Sequence, residues 1–269
     1  MPQTTEQARI REFWQDRARQ VRADPETTHP DIWQRWLEIE RIKPLLNPSD
    51  RLLDIGCGNG YTTRQLAPLV REAVGIDYSD EMIARAQRPA DGRSNPSNIR
   101  FTAQDVLTLS PEKLGQFDVA LSERCLINLT STDHQRRALR NIAAVVRPGG
   151  RFILCEGSEE GRRRVNELRE SAGLAPMPPI WHNLDFDEAT LLAWLAPWYD
   201  VEDHAHFGLY DFLSRVVHPL LVAPETPRYD AKINELAARL SLSRRSDFAG
   251  LSRVLFLVLR RKPTPAGDV

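Results

Sequence analysis

Apolar positions recur at helical spacing over residues 5–21, where Ile10, Phe13, Trp14 and Val21 share a face. A proline-bearing break follows (Asp24, Pro25, His29, Pro30). A second helix is then expected from about 31 to 46, capped by Asp31 and carrying Ile32, Trp33, Trp36, Leu37 and Ile39. Beyond it the pattern changes. Short apolar runs at 51–55, 73–76, 99–103, 117–121 and 151–155 alternate with helical patterns near 61–70, 80–86 and 132–146, the rhythm of a parallel sheet with crossover helices. Arg147-Pro148-Gly149-Gly150 is expected to end the last of these helices. Two further strands, 199–206 and 253–260, flank a long connection with helical patterns near 209–217 and 231–240. A connection of that length reads as a small cap. The expected organisation is a helical extension or lid over 1–48, an α/β domain over 49–262 with a cap at about 207–250, and a disordered tail over 263–269.

Composition narrows the class without naming a function. The chain has 269 residues, of which 41% are hydrophobic and 27% charged, values of a soluble globular protein able to bury a core unaided. A formal net charge of -1 gives no bulk attraction to nucleic acid or to an anionic membrane. The C-terminal quarter is locally basic (Arg239, Arg244, Arg245, Arg253, Arg260, Arg261, Lys262), which reads as a solvated surface. Cys57, Cys125 and Cys155 are odd in number and far apart, so they suggest neither a zinc site nor a redox pair. No leader-like segment and no membrane-length apolar run is present, and a cytoplasmic location is expected.

The chemistry concentrates after the first strand, in Leu52-Leu53-Asp54-Ile55-Gly56-Cys57-Gly58-Asn59-Gly60. Glycines there let the backbone turn tightly and approach a ligand, at the strand edge where nucleotides bind in parallel sheets. The spacing is not that of a dinucleotide fingerprint, because Tyr61 stands where the third glycine is needed, and no Gly-Lys-Ser/Thr follows for a phosphate loop. Asp54 would repel a pyrophosphate but suits a ligand with a cationic amino-acid end.

Asp-Ile-Gly-Cys-Gly-Asn-Gly resembles motif I of class I S-adenosylmethionine (SAM) dependent methyltransferases. Gly75-Ile76-Asp77-Tyr78-Ser79, Ala103-Gln104-Asp105-Val106, Phe117–Glu123 and Arg147–Phe152 follow in that superfamily's order. The resemblance covers about residues 50–156. It implies a seven-stranded, mostly parallel, Rossmann-like α/β sheet with helices on both faces, an N-terminal helical extension and a helical insertion between the last two strands. It also implies SAM as cofactor, held by Asp54, Gly56, Cys57, Gly58, Gly60, Asp77, Tyr78, Met82, Asp105, Val106 and Ser122. Asp77 would hold the two ribose hydroxyls and Asp105 the adenine amino group, roles that suit carboxylate acceptors.

The acceptor side is expected where motif IV meets the transferred methyl. Glu123 and Arg124 are candidate catalytic groups, with His182 as base because an imidazole titrates near neutrality. Asn128, Glu156, Trp181, Asn183, Tyr210 and Arg215 are candidate substrate contacts. Trp14, Trp33, Trp36, Phe207, Tyr210, Phe212 and Arg215 would make an aromatic wall over the acceptor. The expected reaction is methyl transfer to an O or N atom of a small molecule or glycan, of bacterial secondary-metabolite or surface-glycan type. It needs no metal, since no ligand cluster stands at metal spacing. The expected form is a monomer or homodimer without a membrane or nucleic-acid partner. Two alternatives stand beside it: an RNA or protein methyltransferase, which would want a basic groove interleaved with aromatics, and a non-catalytic SAM-binding regulator.

Overall fold

The computed structural model describes residues 5–20, 24–88, 92 and 94–263; the expectations for Val21 and for 264–269 lie outside them. Helices α1 (Thr5–Gln20), α2 (Asp24–Thr28) and α3 (Ile32–Ile42) precede strand β1 (Arg51–Ile55). Then come α4 (Tyr61–Leu66), β2 (Glu72–Asp77), α5 (Asp80–Gln87), β3 (Ile99–Ala103), α6 (Pro111–Leu114), β4 (Phe117–Glu123), α7 (Thr132–Val145) and β5 (Val146–Gly157). The chain continues through α8 (Glu159–Ser171), α9 (Glu188–Leu195), β6 (Tyr199–Ala205), α10 (Gly208–Asp211), a π-helical stretch (Phe212–Val217), α11 (His218–Val222), α12 (Lys232–Ser243) and β7 (Val254–Arg261).

The seven strands order as β3-β2-β1-β4-β5-β7-β6, with β7 antiparallel to both neighbours and the rest parallel. Strand alternation feeds two cores. Leu53, Ala120, Phe152, Leu154, Leu255 and Leu257 pack on one face with Leu139 and Ile142 of α7 and Leu191 of α9. Leu52, Val119, Leu121, Ile153 and Phe256 pack on the other with Leu37 and Ile42 of α3 and Ala237 and Ala238 of α12. The order reverses between β1 and β4, and a ligand crevice opens at such a switch point.

Several local expectations are corrected. The break around Pro25 is helical, since proline is tolerated in a first turn. Helix α7 stops at Val145, and Arg147–Gly150 forms an irregularity inside β5, where the register on β4 shifts between Phe117 and Val119. Helices α8 and α9 were not anticipated. In α8 only Gly161 and Val165 are buried, too few to set a visible period. Of the basic C-terminal residues, Arg245, Arg260 and Lys262 do stand on the surface, paired with Asp203, Glu202 and Asp200. Arg253 instead reaches an internal cavity. No helix among the described residues is long and apolar enough to cross a membrane.

Candidate active site

A cavity of about 680 Å³ opens at the switch point, under α1 and the 28–35 segment. The turn after β1 is built from residues with positive φ, Gly56 (71°), Gly58 (54°) and Gly60 (74°). The Gly56 and Cys57 amides donate to the Ile76 carbonyl at 2.8 and 2.9 Å. The Gly58 amide donates to Asp77 Oδ2 at 3.0 Å, and the Ser79 amide to Oδ1 at 2.8 Å. A Cβ on Gly58 would stand 2.5 Å from Thr28 Cγ2, so glycine is needed both for the turn and for the 28–35 segment to close over it.

Three acids line the cavity from the β1, β2 and β3 ends: Asp54, Asp77 and Asp105. Burial pushes Asp54 up to about 7, against a 2.5 Å hydrogen bond from Thr63 Oγ1. Burial likewise raises Asp77 to about 6, against its two backbone donors. Buried carboxylates of this kind gain from a cationic or hydroxyl-bearing ligand. Asp105 Oδ1 accepts from the Leu107 amide at 2.8 Å. The residues therefore fit SAM: acids for its amino group, ribose and adenine, and a turn with no side chain at its closest approach. The fit also has a cationic part that the sequence reading missed. Arg35 lines the cavity, is 4% exposed, and has a buried Nε without a hydrogen-bond partner. Its Nη1 donates to Thr28 Oγ1 at 2.6 Å and its Nη2 to Thr62 Oγ1 at 3.3 Å. Such a guanidinium suits the carboxylate of an amino-acid ligand.

At the end of β4, Glu123 and Arg124 line the same cavity. Thr62 Oγ1 donates to Glu123 Oε2 at 2.8 Å, and Arg124 Nη2 lies 3.4 Å from Oε1. Arg124 Nη1 also grips both oxygens of the fully buried Glu38, at 2.5 and 2.6 Å. Burial raises Glu38 to about 8, whereas Arg124 and Arg35 hold Glu123 below its ordinary value despite burial. Two histidines, His29 and His182, line the same cavity. His29 Nδ1–H donates to the Asp31 carbonyl at 2.9 Å, which leaves the lone pair on Nε2; burial and then Arg124 keep the ring uncharged. His182 stands among Phe13, Trp14 and Trp181, with ring centroids 4.8–5.3 Å away, and burial lowers its pKa too.

The cavity thus brings together Asp54, Gly56, Cys57, Gly58, Asp77, Tyr78, Met82, Asp105, Val106, Glu123, Arg124, Asn128, His182, Asn183 and Arg215. Five candidates fall outside its lining. Gly60 starts α4. Ser122 is fully buried in β4, and its hydroxyl donates to Glu156. Glu156 is itself sealed and accepts from the amides of Cys125, Leu126 and Ile127 at 3.0–3.3 Å, so it braces the turn that presents Glu123. Tyr210 is a core residue whose hydroxyl donates to Asp31 Oδ1 at 2.5 Å. Trp181 is 46% exposed beneath Arg9, whose guanidinium lies 4.3 Å from its ring. The aromatic wall shrinks accordingly. Trp33 and Trp36 pack outside the cavity against Arg239, and Phe207 is buried in the core, while Trp14 alone of the set remains beside Arg215 in the lining. Trp14 Nε1 donates to Asn128 Oδ1 at 2.7 Å and so ties α1 across the mouth. Among the described residues, no three His, Cys, Asp or Glu side chains are grouped to hold a metal ion.

Acid-tipped strands around a glycine turn at the β1/β4 switch point define the class I SAM-dependent methyltransferase fold. Residues 52–150 match the family described as a methyltransferase domain. It is 29% identical over 151 residues to the ubiquinone/menaquinone biosynthesis C-methyltransferase UbiE of Ectopseudomonas mendocina (strain ymp), covering 55% of this chain and 56% of that one. The chain thus spans about half the length of the curated relatives it matches. Its fold is similar to that of the N-methyltransferase NodS from Bradyrhizobium japonicum WM9 in complex with S-adenosyl-L-homocysteine (SAH), at 18% identity and a TM-score of 0.59, over 95% of this chain and 99% of NodS. It is also similar to magnesium protoporphyrin IX methyltransferase ChlM from Synechocystis PCC 6803 with bound SAH, at 16% identity and a TM-score of 0.60, over 95% and 99% of the two chains.

Proposed function

We propose that the protein transfers a methyl group from SAM to an O or N atom of a small molecule or glycan, without a metal. One observation carries this reading. A single cavity is lined both by the acids at the β1, β2 and β3 ends, Asp54, Asp77 and Asp105, and by Glu123, Arg124, His182 and Arg215 from other elements. Similarity to solved structures with bound SAH supports the cofactor.

SAM supplies a methyl already activated by its sulfonium, so the protein's work is to bind, align and exclude water. Asp77 would accept the ribose hydroxyls, Asp105 the adenine amino group, Asp54 and Arg35 the two ends of the amino acid. Tyr78, Met82 and Val106 would flank the base. Arg124 positions Glu123, whose ionised carboxylate faces the cavity and serves as a proton acceptor for an O–H or N–H nucleophile. His182, neutral and in the same lining, is the second base. Trp14 and Phe13 cover the cavity against water.

Calorimetric titration with SAM and SAH, beside NAD as control, tests the cofactor assignment. Micromolar binding of both sulfur nucleotides and none of NAD is expected; failure of both would reduce the reading to one of fold. His182→Ala should leave SAH affinity intact and lower turnover once an acceptor is found.

A further inference from the structure

The sheet topology separates charge across the cavity. The β3, β2 and β1 ends carry Asp105, Asp77 and Asp54, whereas the β5 and β7 side carries Arg162, Arg215 and Arg253. These guanidiniums come from three elements, α8, the π-helical stretch and the residue before β7. Their convergence is built in. Gly161 lets α8 close on the chain before β7, where an added Cβ would stand 1.8 Å from the Ser252 carbonyl oxygen and 3.1 Å from Arg253 Cα. Arg215 and Arg253 both donate to Gln34 Oε1, at 3.4 and 3.1 Å.

Each guanidinium is paired with a carboxylate that leaves other donors open; Asp31 and Asp185 line the cavity beside their arginines, and Asp211 lies outside the lining. Arg162 Nε meets Asp185 at 2.8 Å, with no partner for Nη1 or Nη2 among the described residues. Arg253 uses its Nε and Nη2 on the fully buried Asp211 and on Gln34, and leaves Nη1. Arg215 commits only Nη2, to Asp31 and Gln34. A fourth cation, Arg169, gives its Nη1 to the Arg215 carbonyl and is paired with no carboxylate among the described residues. Planar forks fixed by carboxylates, with N–H donors still open, present oxyanion-binding geometry. The wide turn that carries Arg215 is independent support, because π-helical turns concentrate at functional sites.

We propose that the acceptor carries an anionic group, a carboxylate or a phosphate, which docks on Arg162, Arg215 and Arg253 while its nucleophilic atom faces Glu123. This rests on the methyltransferase reading for its orientation but not for the anion site itself. The test is ligand-observed NMR on the full chain, with and without saturating SAH, using benzoate against benzamide and phenyl phosphate against phenol. Benzoate or phenyl phosphate should bind at least tenfold more tightly than its neutral match, and whichever anion is preferred identifies the group. Arg162→Gln, whose partner Asp185 is itself part-exposed, should cost tenfold or more in anion affinity and leave SAH affinity within twofold; Arg253→Gln should do the same if it folds. Equal binding of anionic and neutral probes, or unchanged anion affinity in Arg162→Gln, overturns the proposal. If SAH fails to bind, the cofactor reading falls, while the titration without SAH still decides the anion site.

Discussion

The two walls of the cavity are built by different means. On the β1–β3 side, each acid sits at or near a strand end and takes its partners from its own or the adjoining strand–helix unit: Asp77 from Ser79 and Gly58, Asp105 from Leu107, Asp54 from Thr63. On the β5–β7 side, each arginine is fixed by a residue distant in the chain: Arg253 by Asp211 and Gln34, Arg215 by Asp31, Arg162 by Asp185. Local construction suits a site for an invariant cofactor, because strand and turn geometry alone set it. Long-range construction on inserted helices can change its occupant without disturbing the sheet.

That contrast breaks first at Asp77. Asp77→Ala should weaken SAH by roughly 100-fold, the loss of about 3 kcal/mol in hydrogen bonds to a charged acceptor, with anion binding opposite unaffected; calorimetry reads both. Gly58→Ala comes next. A left-handed alanine costs roughly 1–2 kcal/mol, and its Cβ would also press on Thr28, so urea unfolding should show a loss that Thr28→Ala partly restores.

The buried acids also titrate. Asp54 and Glu156 are raised to about 7 and Glu38 to about 8, chiefly by burial. An acid raised on folding binds its proton more tightly in the native state, so its contribution to stability is lost as pH rises through the folded value. Without ligand, stability should therefore rise by roughly 2–3 kcal/mol as pH falls from 8 to 6.5, and Glu156→Gln should flatten the slope. Below 6.5, His29, His182 and His206, all lowered by burial, oppose the trend. The smallest effect belongs to Trp181→Ala at the half-exposed rim: within about 0.5 kcal/mol of stability and within twofold of wild-type SAH affinity.

The same contrast explains what could be read from the chain. Asp54, Asp77 and Asp105 were legible because a strand, a turn and an acid are contiguous. Ser122 and Glu156 also stand at strand ends but turn toward each other inside the protein, and alternation does not reveal which way a terminal strand residue faces. Arg253 reads from sequence as an ordinary surface charge and Arg162 carries no signal at all, since only the packing of α8 on the β7 approach brings them together. Arg35 and Glu38 sit on a helix whose apolar pattern promised core, and both are buried there against polar partners distant in the chain, Thr62 and Arg124. Tyr210 was expected to touch substrate and instead anchors Asp31, a contact between residues separated by most of the chain.

A crystal structure of the protein with SAH tests the central claim most directly. The account requires the ribose hydroxyls on Asp77, the amino-acid carboxylate near Arg35, and the sulfur facing Glu123 with the arginine wall beyond it. A ribose held away from Asp77, or a homocysteine tail lying among Arg162, Arg215 and Arg253, would contradict the division of the cavity into a cofactor wall and an acceptor wall.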